Sequence, residues 1–241
     1  MANTGRLDPK PNRLLAALER NDRERLDGRL EAVDLTLGEV LHEPWKARRW
    51  VYFPAGSIVS LLYETEDGET CEIAIVGNEG VVGASPCMGA GEDPARAVVQ
   101  SAGPALRMRV GDLRREFESG GEVQRLLLRY MQTLLVQIAQ SAVCNRHHSV
   151  AQQLCRWLLM SMDRLPSNRI VMTHQLIAHM LGVRREGVTE AAGKLQRAGA
   201  ISYRRGRIEV LDRARLEALS CECYGVVRRE FAHLLPWTYR G

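Results

Sequence analysis

The period of the apolar positions changes several times along this chain. Near the start, Leu14, Leu15, Leu18 and Leu26 share one face of a short helical segment. From Val33 to about Arg109, short β-branched and apolar runs alternate with turn signals. VDLTLGEVL alternates; a Pro-Ala-Gly turn, a strand and a Glu-Asp-Gly-Glu turn follow, then another strand. Asp67-Gly68 between two such runs predicts a hairpin, because glycine reaches the positive φ that tight turns demand. ARAVVQSAGPALRMRV adds two strands about Gly103-Pro104. Many short strands with regular turns predict a small antiparallel barrel or jelly roll.

Near Val110 the helical period returns as a short helix, a Gly-Gly break and one long helix. Leu127, Met131, Leu134, Ile138 and Ser141 recur at alternating steps of four and three, the seam of a coiled coil. Leu128, Leu135 and Ala142 widen it, so this helix can face its own domain as well as a partner. A dimer helix is the preferred reading, and a core helix of a single chain the alternative. A second helix, with Val150, Leu154, Trp157, Leu158 and Met162 on its apolar face, ends before Pro166. The segment 170–211 then reads strand, helix, turn, helix, hairpin. Thr173 is its N-cap, Gly182 its turn and Arg205-Gly206 its hairpin tip. That order is the winged helix-turn-helix pattern.

Composition adds a class and a partner. The apolar fraction of 45 % and charged fraction of 26 % are those of a globular protein with a sizeable core. The chain lacks the run of about eighteen apolar residues that a membrane span needs, and its N-terminus lacks a signal-like apolar run. A cytoplasmic protein that does not enter the membrane is expected. Between Arg184 and Arg215 stand nine basic and four acidic residues, an excess of five against +4 for the whole chain. A positive field confined to one segment points to a polyanion. A recognition helix contacts base edges with its N-terminal residues. Here those are Arg184, Arg185, Glu186, Thr189 and Glu190. Arginine pairs with guanine O6 and N7, and glutamate accepts from cytosine N4. Thr173, Lys194, Arg197, Arg204, Arg205 and Arg207 are the expected phosphate contacts.

Thr173-x-Gln175-x-Ile177, then Gly182-x-x-Arg185-Glu186-x-Val188, resembles the signature of the Crp/Fnr transcription regulators over about residues 33–212. The resemblance implies an α+β fold: an N-terminal antiparallel, jelly-roll-like β-roll, a long dimerisation helix and a C-terminal winged helix-turn-helix. The boundaries are 1–118 for the sensory roll with its N-terminal helix, 119–147 for the dimer helix and hinge, and 148–241 for the DNA-binding domain with a helical extension. It also implies a homodimer on a pseudo-palindromic duplex operator, with RNA polymerase as protein partner; no enzyme activity is expected, because no nucleophile–base pair, phosphate loop or metal-ligand set stands out in the sequence. Glu190 stands where the catabolite activator carries a further arginine, which implies a departure from a TGTGA-like half-site.

In the roll, Gly83 and Arg96 match the family's phosphate-binding cassette, alongside Ser85 and Ala97. Ala84 replaces the ribose-binding glutamate, and Ile138-Ala139 replaces the adenine-contacting Thr-Ser pair. Cyclic AMP is therefore not expected; another small anionic effector, or none, is. No N-terminal cysteine cluster of the iron–sulfur type is present, since Cys71 is the first cysteine. Cys144, His147 and His148 near the end of the long helix read as a polar hinge, with a haem or metal role left open. Cys221 and Cys223 read as small residues of a C-terminal helix, because no second ligand pair has zinc-like spacing. No metal is assigned. Two alternatives remain open: a winged helix that contacts protein instead of DNA, and DNA binding without any ligand.

Overall fold

The structure, a computed structural model, describes residues 12–90 and 92–235. The outer ends of the first and last expected domains, 1–11 and 236–241, lie outside the described residues. Helices α1 (Arg13–Ala16) and α2 (Arg20–Asp27) lead the chain, and Leu14, Leu15, Leu18 and Leu26 are buried. Asn12 caps α1, accepting from the Leu15 amide at 3.1 Å. Its own amide group donates to the carbonyls of Pro54 and Gly80, which fastens the helix to the roll.

Strands β1 (Glu31–Leu35), β2 (Val40–His42), β3 (Trp50–Pro54), β4 (Ile58–Glu64), β5 (Thr70–Val76), β6 (Arg96–Ser101) and β7 (Gly103–Arg109) build that roll. They form two antiparallel sheets, ordered β1-β7-β3 and β2-β6-β4-β5. The alternating run VDLTLGEVL divides at a turn, so β1 and β2 enter different sheets. Likewise β6 and β7 are not a hairpin, because the chain crosses from one sheet to the other between them. The Asp67-Gly68 hairpin forms as its residues predict, pairing Glu64 with Thr70. Val51, Phe53, Ile58, Val59, Ile75, Val76, Val99 and Met108 fill the interior. Each such side chain contributes about 1.5–3 kcal/mol of burial.

Helix α3 (Val110–Glu118) follows, then α4 (Gly121–His147), then α5 (Val150–Met162). Ser149 and Gln152 close a capping box on α5, so the connection between the two helices shrinks to His148 and Ser149. The α4 seam is turned from its expected position. Leu127 and Ser141 are buried within their own chain, whereas Leu128 and Leu135 are 49 % and 59 % exposed. Met131 and Ile138 are half-buried and Ala142 is exposed. The outward line is thus Leu128, Met131, Leu135, Ile138 and Ala142, because the roll already covers the Leu127 side.

The C-terminal domain continues with β8 (Arg169–Val171), α6 (His174–Leu181), α7 (Arg185–Arg197), β9 (Ile201–Arg204) and β10 (Arg207–Val210). The strands pair antiparallel in the order β8-β10-β9. Helices α8 (Arg213–Leu219) and α9 (Glu222–Leu234) complete the described chain, and α9 lies against α4 and α5. A buried ion pair, Arg164 to Glu79 at 2.7 Å, ties the end of α5 to the loop after β5. No helix among the described residues is long and apolar enough to cross a membrane.

Candidate DNA interface

The helix-turn-helix is built from local rules. Thr173 caps α6 by accepting from the Leu176 amide at 3.3 Å. Gly182 ends that helix in the left-handed region, φ 63°, a conformation that costs glycine least. Ile177, Ala178, Leu181, Val188, Ala192 and Leu195 are buried between the helices. The apolar stripe of α7 therefore faces inward and turns its polar edge out.

That edge begins with Arg184, Arg185 and Glu186, all exposed. Their side chains make no hydrogen bond or ion pair with another of the described residues. Thr189 and Glu190 are exposed too, but both hold partners. The Thr189 hydroxyl lies 2.9 Å from His174 Nδ1 and donates to the Arg185 carbonyl at 3.1 Å. Glu190 pairs with Lys194 at 2.8 Å. The hydrogen bond and charge of Lys194 hold the Glu190 carboxyl below the usual range. This pair is exposed and therefore weak, so it can open toward a stronger partner.

The wing turns at Arg205 and Gly206, with φ 49° and 74°, the pair of positive values a two-residue hairpin requires. Arg204 and Arg207 stand directly opposite each other across this hairpin. Like charges in facing positions disfavour the strand pair. Three exposed guanidinium groups at one tip suit a polyanion that offsets the repulsion. Two other basic residues of the segment serve the fold instead. Arg213 pairs with Asp163 at 2.6 Å, and Arg215 donates to the Ala198 carbonyl at 2.6 Å. Among the described residues, α8 and α9 of the tail pack on α5 and α4, and the leading edge of α7 is exposed.

Sequence reasoning missed the support behind this edge. His174 stacks on Tyr203, with ring centroids 4.3 Å apart, and the Tyr203 hydroxyl donates to the Met172 carbonyl. Burial, then the charge of Arg185, lowers the His174 pKa. This link joins the start of α6, the middle of α7 and the wing. The aromatic in ISYRR was the available signal.

In the roll, a cavity lies between the four-stranded sheet, the segment 81–95 and α4. Gly83, Ala84, Ser85 and Ala97 line it, together with Met131 and Leu134. Arg96 and Ile138 are not among its lining residues, which corrects their expected place. Arg96 pairs outward with Glu43 at 3.3 Å. The cavity has a different arginine, Arg48, which pairs with Asp93 and donates to Ser85. Burial opposes ionisation of Asp93, but hydrogen bonds from Arg48 and Ser85 outweigh it and lower its pKa. His42 completes the polar wall; burial and then Arg48 push its pKa down to about 4, so the ring is neutral. The arginine was hidden from sequence because Arg48 comes from the loop between β2 and β3, whereas Ser85 and Asp93 come from the connection between β5 and β6.

Residues 152–219 match the Crp-like helix-turn-helix domain family. No curated protein matches the sequence. Solved structures do match in fold. A Crp/Fnr-family transcriptional regulator from Eubacterium rectale aligns at TM-score 0.65 and 17 % identity, over 86 % of this chain and 96 % of its own. FixK2 from Bradyrhizobium japonicum aligns at 0.66 and 17 %, over 80 % and 98 %. CLP from Xanthomonas campestris, described as a c-di-GMP-responsive global regulator, aligns at 0.64 and 13 %, over 80 % and 100 %. Residues 152–219 thus carry a Crp-like helix-turn-helix domain, and the chain as a whole has the fold of these Crp/Fnr-family structures.

Proposed function

We propose that this chain is a homodimeric, sequence-specific DNA-binding transcription regulator acting on a pseudo-palindromic operator. The observation that carries the reading is the exposed Arg184, Arg185 and Glu186 edge, left without partners among the described residues and flanked by the wing arginines. Arg184, Arg185, Glu186, Thr189 and Glu190 read base edges. Thr173, Lys194, Arg197, Arg204, Arg205 and Arg207 hold phosphates. Two copies pair along α4 and set the two recognition helices about one turn of duplex, ~34 Å, apart. RNA polymerase is the protein partner.

The roll biases the orientation of the winged helices, and an effector acts by binding one arrangement better than the other. An anionic effector must displace Asp93 from Arg48, because that pair leaves the cavity wall without net positive charge. The relatives' effectors differ in kind, as the c-di-GMP-responsive regulator illustrates.

Selection of bound duplexes from a random pool, followed by mobility shifts, tests the assignment. Arg185→Ala should weaken the selected site by about 1–3 kcal/mol and relax one base position. Arg205→Ala should weaken all duplexes alike and reduce the salt slope. Unaltered base preference in Arg185→Ala removes the base-reading role. Absence of duplex binding even at low salt leaves the protein-contacting winged helix in its place.

A further inference from the structure

Cys144, His148, Cys221 and Cys223 meet where the end of α4 touches the start of α9, and none of them lines the roll cavity or belongs to the polar edge of α7. Three sulfurs and one ring nitrogen all lie within 4.8 Å of one another. Cys144 Sγ is 3.6 Å from Cys221 Sγ, and Cys223 Sγ is 3.4 Å from His148 Nδ1. A tetrahedral zinc with Zn–S of ~2.3 Å and Zn–N of ~2.0–2.1 Å has ligand-to-ligand edges of roughly 3.5–3.8 Å. The donors therefore already stand close to the corners of such a site.

Four further observations favour an ion over a chance cluster. The thiols are buried together as a group apart from the main apolar core. The far ring nitrogen of His148, Nε2, lies 3.3 Å from Glu222 Oε2. A carboxylate in that position fixes the ring and points the other nitrogen at a metal. Gln140 donates its amide N–H to Cys223 Sγ at 3.1 Å, a bond that a thiolate accepts well. Cys221 is also the N-cap of α9, where the helix dipole favours the thiolate. A Cys144–Cys221 disulfide would account for two of these groups and leave Cys223, His148 and their supports without a purpose.

We propose that Cys144, His148, Cys221 and Cys223 bind one zinc ion in a closed, structural Cys3His site. The ligands come as Cys-x3-His from the end of α4 and Cys-x-Cys from the start of α9. One turn of helix places the first pair on a shared face. His148 is the C-cap of α4 and half of the short connection to α5. The ion thus fastens α9 to the joint between the roll-bearing helix and the DNA-binding domain. His147 is exposed and takes no part.

The test uses the full chain, untagged, purified with reductant and without chelator. Elemental analysis should find about one zinc per chain. Cobalt substitution should give thiolate charge-transfer absorption and the intense visible bands of a tetrahedral site. Cys223→Ser and His148→Ala should lose the ion, whereas Cys155→Ser, a buried thiol outside the cluster, should keep it. Chelation should lower the melting temperature by more than about 5 °C, and zinc should restore it. If a ligand variant does not fold, the zinc content and cobalt spectrum of the natural chain still decide. A folded natural chain that carries no zinc and is not stabilised by it overturns the proposal. So does iron in place of zinc, or a mapped Cys144–Cys221 disulfide. None of these readouts depends on DNA binding.

Discussion

Ionisation of Glu72 is disfavoured in the fold. The residue sits on β5 against α5, and burial raises its pKa to about 7 despite a hydrogen bond from Ser60 and the charges of Arg156 and Arg164. Ser60 donates to it at 2.5 Å, and Gln100, 3.0 Å from the same hydroxyl, donates onward to Ser161 of α5 at 3.2 Å. This polar chain crosses from the roll to the C-terminal domain. In the unfolded chain the carboxyl titrates near its ordinary 4.5. Between the two values the folded state holds the proton more tightly, so stability is present at low pH and lost as pH rises toward about 7. Glu72→Gln should flatten that decline. Urea midpoints of both proteins from about pH 5 to pH 8 check it; parallel curves would remove Glu72 as the cause.

Helix α4 shows how one element serves two masters. Its Leu127 side is buried in its own chain and its Leu135 side faces out. Leu135→Glu should therefore leave monomer stability within about 0.5 kcal/mol and abolish the proposed dimer. Leu127→Ala should instead cost about 2–5 kcal/mol of fold stability through the cavity it leaves. Sedimentation and chemical unfolding separate the two outcomes. A dimer that survives Leu135→Glu places the subunit contact elsewhere.

At the scale of the molecule, the roll and the DNA-binding domain are joined by more than the short His148-Ser149 connection. Arg164 reaches Glu79 at 2.7 Å and also donates to the Met160 carbonyl. Both side chains of the pair are almost fully buried. Removing Glu79 takes away the carboxylate that contacts the buried guanidinium most closely, so Glu79→Ala should destabilise the fold, by up to about 3–5 kcal/mol. Replacing both, as Glu79→Leu with Arg164→Met, should recover most of that loss. Calorimetry of the single and double variants measures it. A single variant that melts like the natural protein would show the pair to be neutral.

Secondary structure and the exposed polar edge of α7, the candidate site, were largely legible in the sequence, because their causes are local. The 3.6-residue period, the Thr173 cap, the Gly182 turn and the Arg205-Gly206 tip each act within a few residues. The charge excess of the recognition segment was legible too, though not that Arg213 and Arg215 would be spent on Asp163 and the Ala198 carbonyl. What depends on contacts between distant segments was decided only by the tertiary structure. The outward seam of α4 turned on which side the roll covers. The arginine of the roll cavity is Arg48, brought to Ser85 and Asp93 from another loop. The thiols of Cys144 and Cys221, 77 positions apart in the chain, are neighbours in space. Periodicity records which residues leave water, but not which surface receives them. That choice follows from packing the whole chain at once.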